Sequence, residues 1–268
     1  MKVHDIASFD PITIEVTASL DEAQRLMNEH DIRHLPVMKG ATLVGVLSER
    51  DVLASTGWIP DGKRAARPVE DVMRSPVVTV EPEDSTVTAA LELVLRRVGC
   101  LPVLRADRLV AILTELDLLR AFVIARENGD LGDEEDPPLA DLMTREVLTA
   151  SPDRSIDEAV AILRAHDIHH LPIVDGDTYV SIVSDRDLRA AAGSGLAGTT
   201  PLSRILPRPT LRALESEPAS AAARAMLDHK IGSLPILRDH ALRGILSVKD
   251  LMEHCMKTLW HSADGSRR

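Results

Sequence analysis

The chain has 268 residues, and its acids outnumber its bases 42 to 31 for a formal net charge of -11, which argues against a nucleic-acid surface. Its two cysteines, Cys100 and Cys255, are too few for a disulfide framework and lack metal-ligand spacing. No run of about 18 apolar residues offers a membrane span, and charged residues follow Met1 at Lys2 and Asp5, so no signal peptide is expected; the expectation is a soluble cytoplasmic protein with reduced thiols.

Taken in chain order, Ile12 to Ile14 reads as a short strand. A helix follows from a capping box, Ser19 with Glu22, and presents Leu20, Ala23, Leu26 and Met27 on one face. Leu35-Pro36 opens a second strand, Gly40 supplies a turn, and Val44 to Leu47 forms a third strand running into Ser48, Arg50 and Asp51 at a helix start. Further first strands are read at Val77 to Val80 and Val147 to Thr149, a second capping box at Ser155 with Glu158, and a turn at Asp175-Gly176-Asp177.

The set recurs in one register. In register, Leu-Pro stands at Leu35, Leu101, Leu171 and Leu234, and sixteen residues after each Leu stands Asp51, Asp117, Asp187 or Asp250. Three residues before each Asp is a hydroxyl, Ser48, Thr114, Ser184 or Ser247, and twelve before each Leu is Ala23, Ala89, Ala159 or Ala222. Four copies of a strand–helix–strand–strand–helix (βαββα) unit are therefore expected, an α/β (α+β) fold.

The copies alternate. Copies one and three share Asp-Ile-x-His-Leu-Pro and Ser-acid-Arg-Asp, whereas copies two and four share Gly-x-Leu-Pro-x-Leu-Arg. A pair duplicated once is the reading, because one copy is too small for a comfortable core. The expected boundaries are 1–60, 68–126, 139–193 and 200–260, with a solvated acidic linker at 127–138 and a disordered tail at 261–268. The stretch from Leu251 to Trp260 is expected to continue the last helix.

Val72-Met73-Arg74, Leu142-Met143-Thr144, the Leu-Pro strand and the Gly-x-x-Ser-x-x-Asp ending resemble the CBS (cystathionine β-synthase) domain family, from about Val3 to about Met256. The resemblance implies tandem pairs about a pseudo-two-fold axis, two such pairs closing into a disc. It implies adenosine-containing ligands in clefts between paired units, and a regulatory role acting on a partner protein or on self-association.

The hydroxyl-x-x-Asp motif has a purely structural reading as a helix cap. A cation before the Asp, as at Arg50, Arg186 and Lys249, opposes the helix dipole by roughly 0.3–1 kcal/mol, so capping gains nothing from it while a phosphate would. The roles carried over are Asp51 and Asp187 on the ribose diol, and Ser48, Arg50, Ser184 and Arg186 on phosphate. Thr13, Thr79 and Thr149 are placed at the adenine edge; His34 and His170 serve either as packing residues or as phosphate contacts.

Ser247, Lys249 and Asp250 form a secondary site, and Thr114 with Asp117 the weakest, because copy two carries Leu116 for the cation and Ala111 for the Gly. Copy four carries Arg212 in place of the first-strand Thr. Ser181, standing where copy one has Gly45, is expected to crowd a ligand's approach. His166, His169 and His170 read as a helix end and a strand start, so no metal is expected. With no room outside the repeats for a catalytic domain, neither an enzyme nor a catalytic cofactor is expected. An AMP, ADP or ATP sensor is the first reading, with a homo-oligomer in view; an S-adenosylmethionine-type binder and a ligand-free scaffold are the alternatives.

Overall fold

A computed structural model describes residues 1–56, 67–129, 136–207 and 211–254. The chain divides into two compact units, Met1–Phe122 and Val123–Cys255, and the division falls within one helix.

In the first unit, β1 (Ser8–Phe9) is followed by β2 (Ile14–Glu15), α1 (Leu20–His30), β3 (His34–Lys39), β4 (Thr42–Ser48) and α2 (Glu49–Thr56). Copy two supplies α3 (Thr86–Arg96), β5 (Cys100–Arg105), β6 (Arg108–Thr114) and α4 (Glu115–Glu127). The sheet orders are β2-β3-β4 and β1-β6-β5. In the second unit come α5 (Leu139–Leu142), α6 (Ile156–Ala165), β7 (His170–Asp175), β8 (Thr178–Ser184) and α7 (Asp185–Gly193). Then follow β9 (Ala213–Leu214), α8 (Ala219–His229), β10 (Ser233–Arg238) and β11 (Ala241–Ser247), with helix again through 248–254. The continuation to Trp260 and the tail at 261–268 lie outside the described residues.

Each helix buries the face its periodicity marks. Leu20, Ala23 and Met27 of α1 pack on Leu35, Val37 and Leu47, all fully buried or nearly so. A buried Leu or Met contributes about 1.5–3 kcal/mol. The registered alanines, Ala23, Ala89, Ala159 and Ala222, are all buried, because a helix lying close on its sheet leaves room for one methyl. Ser19 accepts the Glu22 N–H at 3.2 Å, and Ser155 and Glu158 form the complete reciprocal box.

The Leu-Pro strands tolerate proline for a local reason. Pro36 lies opposite Val46, whose N–H goes instead to the Arg74 carbonyl at 3.1 Å, so this pair exchanges no ladder bond. On its other side β2 reaches only Val37 and Met38. Proline's missing N–H therefore breaks nothing.

The first strands are shorter than the sequence suggests. Copy one has Ile14–Glu15, copies two and three have single bridges at Val80 and Ala150, and copy four has Ala213–Leu214, which the sequence reading missed. The residues before them belong to another copy's sheet. Arg74 bridges Val46 of copy one, Ser8 and Phe9 pair with copy two, and Thr144 bridges Ile245 of copy four.

The short helical turn opening each copy makes the same exchange. Val3 donates to Asp84 O, Val69 to Ala18 O, Leu139 to Glu217 O and Leu202 to Arg154 O, at 2.8–2.9 Å. These four residues are fully buried. Each pair thus trades its lead-in segments, so a single copy would lack part of its own core. In copy three the exchanged segment carries Pro207 at this position, which has no N–H for the bridge, and among the described residues the β7-β8 sheet has two strands.

The acidic linker departs from the solvated expectation at both ends. Glu127 belongs to α4 and pairs with Arg224, while Asp136 accepts the Ser220 N–H at 3.0 Å and Pro137 O accepts from Ala219 at 2.9 Å.

Candidate functional site

All four hydroxyl-x-x-Asp motifs fold as reciprocal caps at a strand-to-helix corner. The Ser48 N–H donates to Asp51 Oδ2 at 3.1 Å, as does the Ser48 hydroxyl. Thr114 with Asp117, Ser184 with Asp187, and Ser247 with Asp250 repeat this, with N–H distances of 2.8, 2.7 and 2.7 Å. In every copy one carboxylate oxygen is consumed by the cap. The cap fixes the side chain, and what remains for a ligand is Oδ1, so the structural and functional readings of the motif are compatible.

The four corners differ in access. Asp51, Asp187 and Asp250 are half-buried, whereas Asp117 is buried and its Oδ1 faces Arg120 at 3.4 Å. Burial pushes the Asp117 carboxyl up, against the pull of Thr114 and Arg120. Arg50, Arg186 and Lys249 lie exposed in the first helical turn beside their carboxylates; Leu116 takes that place in copy two.

The cleft at Asp51 is completed by the other copy. Arg74 Nε donates to Asp51 Oδ1 at 2.9 Å, and Arg74 is bonded through its backbone to Val46, two residues before Ser48. Sequence reasoning treated Arg74 only as lead-in to a strand. The available signal was its offset of five from buried Val69, a position occupied by Ser8, Thr144 and Pro207 in the other segments.

The threonines fall elsewhere. Thr13 precedes β2, at the opposite edge of the β2-β3-β4 sheet from the corner that holds Ser48 and Asp51. Two strand spacings, about 10 Å, separate those edges. Thr79 and Thr149 likewise precede bridges to β5 and β7, not to the strands ending in Thr114 and Ser184. Thr149 instead lines a cavity of about 450 Å³ with Arg145, Val147, Asp177 and Arg243, at the hairpin-turn end of β7 and β8, away from Ser184. The threonines expected at the adenine edge therefore stand about one nucleoside's length from the capped carboxylates of their own copies.

Ser181 also departs from expectation. It is 1% exposed and donates to Pro207 O at 3.2 Å, so it faces the lead-in segment and not an incoming ligand. The matching glycines explain the position. A Cβ on Gly45 would clash with Met73 Sδ, and one on Gly244 would lie 2.6 Å from Met143 Sδ and 2.8 Å from Thr144 O. Methionine opposite glycine and, in copy two, Ala111 in a sheet whose lead-in carries Ala7, is a matching of sizes across the pair.

His34 belongs to the same interlock. A Cβ on Gly99 would sit 2.6 Å from His34 Nε2, so the large residue of copy one needs the glycine of copy two. Burial first, then the Arg33 charge, pushes the His34 pKa down from 6.5 to about 4, against Asp51 and Glu49.

Because the unfolded chain binds this proton more readily, His34 favours the folded state fully above pH 6.5, and that contribution is lost as pH falls toward 4. Thermal melts between pH 7 and pH 4.5 are expected to fall more steeply for wild type than for His34→Gln. Parallel curves would contradict this placement.

In copy three, burial would raise the Asp185 carboxyl, but the hydrogen bond and charge of His169, with Arg189 and His170 adding, hold it below the usual range. His169 Nδ1 lies 3.6 Å from Asp185 Oδ2. Cys100 is buried, and its thiol is pushed up to about 12.

A family model described as the CBS domain matches residues 3–56, 69–124, 139–194 and 203–257. The chain belongs to the CBS-domain family, with four such domains. It is similar to protein MJ1225 of Methanocaldococcus jannaschii, at 24% identity over 275 residues, covering 91% of this chain and 94% of that one. The crystal structure of MJ1225 matches with a TM-score of 0.80 at 22% identity, over 95% of this chain and 99% of that one. A conserved protein of Pyrococcus horikoshii matches with a TM-score of 0.68 at 21% identity, over 95% and 100% of the two chains. The CBS domain-containing protein YhcV of Bacillus subtilis is 32% identical over 113 residues, 41% of this chain and 80% of YhcV. Among the described residues, no helix is long and apolar enough to cross a membrane.

Proposed function

We propose that this chain is a regulatory sensor that binds adenine nucleotides at the Ser48–Asp51 and Ser184–Asp187 corners. The observation that carries the reading is a carboxylate held rigidly by its cap, with an exposed arginine beside it in the first turn of the helix. Oδ1 is suited to a ribose hydroxyl, and the helix N–H groups with Arg50 or Arg186 are suited to phosphate. Membership of the CBS family supports the same chemistry. The Ser247–Asp250 corner, with Lys249, serves as a weaker site, and the buried Asp117 as a cap only.

The two copies of a pair share each other's lead-in segments, so a ligand at a corner bears on both. It shifts their packing only to the extent that it binds two arrangements with different affinity. The output is read by a partner protein or by self-association, in the cytoplasm.

Thermal melts of the full chain with AMP, ADP, ATP and S-adenosylmethionine test this. A ligand at one hundred times its Kd stabilises the folded state by about 2.7 kcal/mol, so the midpoint is expected to rise by several degrees with a nucleotide. An unchanged midpoint with all three nucleotides would overturn the reading, and a rise with S-adenosylmethionine alone would replace the ligand.

A further inference from the structure

We propose that Arg74 sets the phosphate preference of the Ser48–Asp51 site, an inference that rests on the nucleotide reading above. Asp51 is gripped from two sides. Ser48 holds Oδ2 through its N–H and hydroxyl, and Arg74 Nε holds Oδ1 at 2.9 Å. The Arg74 side chain is 63% exposed while that of Asp51 is 10% exposed, so the arginine covers the carboxylate from the solvent side.

The arginine's backbone is anchored and its tip is not. Its carbonyl accepts from Val46 at 3.1 Å and its N–H donates to Val46 O at 2.8 Å, two residues from Ser48. The tip is open to solvent on the arginine side of its ion pair, where screening by water lowers the cost of moving it. A ribose hydroxyl bound to Oδ1 must take the place of Arg74 Nε. The displaced guanidinium stays tethered beside Ser48 and the start of α2, where the phosphate chain lies in this reading, and can grip it in a forked geometry.

Two arginines, Arg50 from copy one and Arg74 from copy two, then face one phosphate chain. No other lead-in segment carries a charge at this position, which is Ser8, Thr144 or Pro207. The Ser48–Asp51 site therefore favours ATP over adenosine more strongly than the Ser184–Asp187 site does.

The test is calorimetry of adenosine, AMP and ATP binding to the full chain carrying Asp187→Ala and Asp250→Ala, which leaves the first site alone, with and without Arg74→Gln. Loss of Arg74 is expected to weaken ATP about tenfold and AMP about threefold, as for one lost phosphate contact. Adenosine is expected to bind as well or slightly better, since its competitor for Asp51 is gone. Arg74→Lys is expected to restore part of the ATP affinity.

Equal losses for adenosine and ATP would make Arg74 a structural residue and overturn the proposal, as would no change for either. Wild-type chain that binds nucleotide while the two-site variant does not would remove the first site alone. Wild-type chain that binds none of the three would remove the functional reading itself.

Discussion

Asp51→Ala combined with Asp187→Ala is expected to abolish adenine-nucleotide binding at sub-millimolar concentration, and each substitution alone to remove one binding event. A hydrogen bond to a charged acceptor contributes about 1.5–3 kcal/mol, which is roughly 10- to 150-fold in affinity per site. The structure adds a cost to each change, because the same carboxylate closes the cap of α2 or α7. Losing one cap costs about 1 kcal/mol, so both variants remain folded and the binding loss is readable by calorimetry. Asp117→Ala is the control. It gives up a similar cap, yet leaves binding stoichiometry unchanged, because its carboxyl is buried. Equal binding losses at Asp117 and Asp187 would show that the motif acts through folding alone.

The second large effect concerns how the pairs are held together. Gly244→Val is expected to destabilise the second unit by at least about 2–3 kcal/mol, an overpacking cost. The new Cβ meets Met143 Sδ at 2.6 Å and the Thr144 carbonyl at 2.8 Å, and the carbonyl belongs to the backbone that bridges Ile245. The methionine can turn aside; the carbonyl cannot without giving up the bridge. Gly244→Ala with Met143→Ala, imitating Ala111 of copy two and Ala7 of the copy-one lead-in, is expected to recover part of the loss seen with Gly244→Ala alone. Gly193→Ala at the end of α7 is the contrast, since nothing lies within 4 Å of its added methyl. It should be neutral or stabilising by up to about 1 kcal/mol. Chemical denaturation measures all four, and a Gly244→Val chain as stable as wild type would contradict the interlock.

Much of this architecture is legible in the sequence because it is local or repeated. The faces of α1 and α6 follow from 3.6-residue periodicity, the Ser155–Glu158 cap from its spacing, and the four corners from one register. What is not legible is long-range. Nothing within Val69–Asp71 says that this turn packs on Ala18 of the preceding copy, and the offset of Arg74 from Val69 marks a lead-in position without naming Asp51 as its neighbour. Periodicity reports which face of an element is apolar and is silent about which copy covers it.

The alternation of copies was visible, but its cause was not. His34 against Gly99, and Met73 against Gly45, are matched by size across the pair, so part of the alternation is a matter of packing. Ser181 faces the exchanged segment, as the matching Gly45 and Gly244 do in copies one and four, which its register alone does not show. The distance of the threonines from the corners was not legible either. The first strand and the corner lie on opposite edges of one sheet, a separation that a linear register cannot display.

The most direct measurement is titration calorimetry of AMP, ADP and ATP into the full wild-type chain. The account predicts saturable binding of an adenine nucleotide, with at least one site lost in Asp51→Ala and another in Asp187→Ala. No heat from any of the three at millimolar concentration, in a chain whose melt shows it folded, would contradict it.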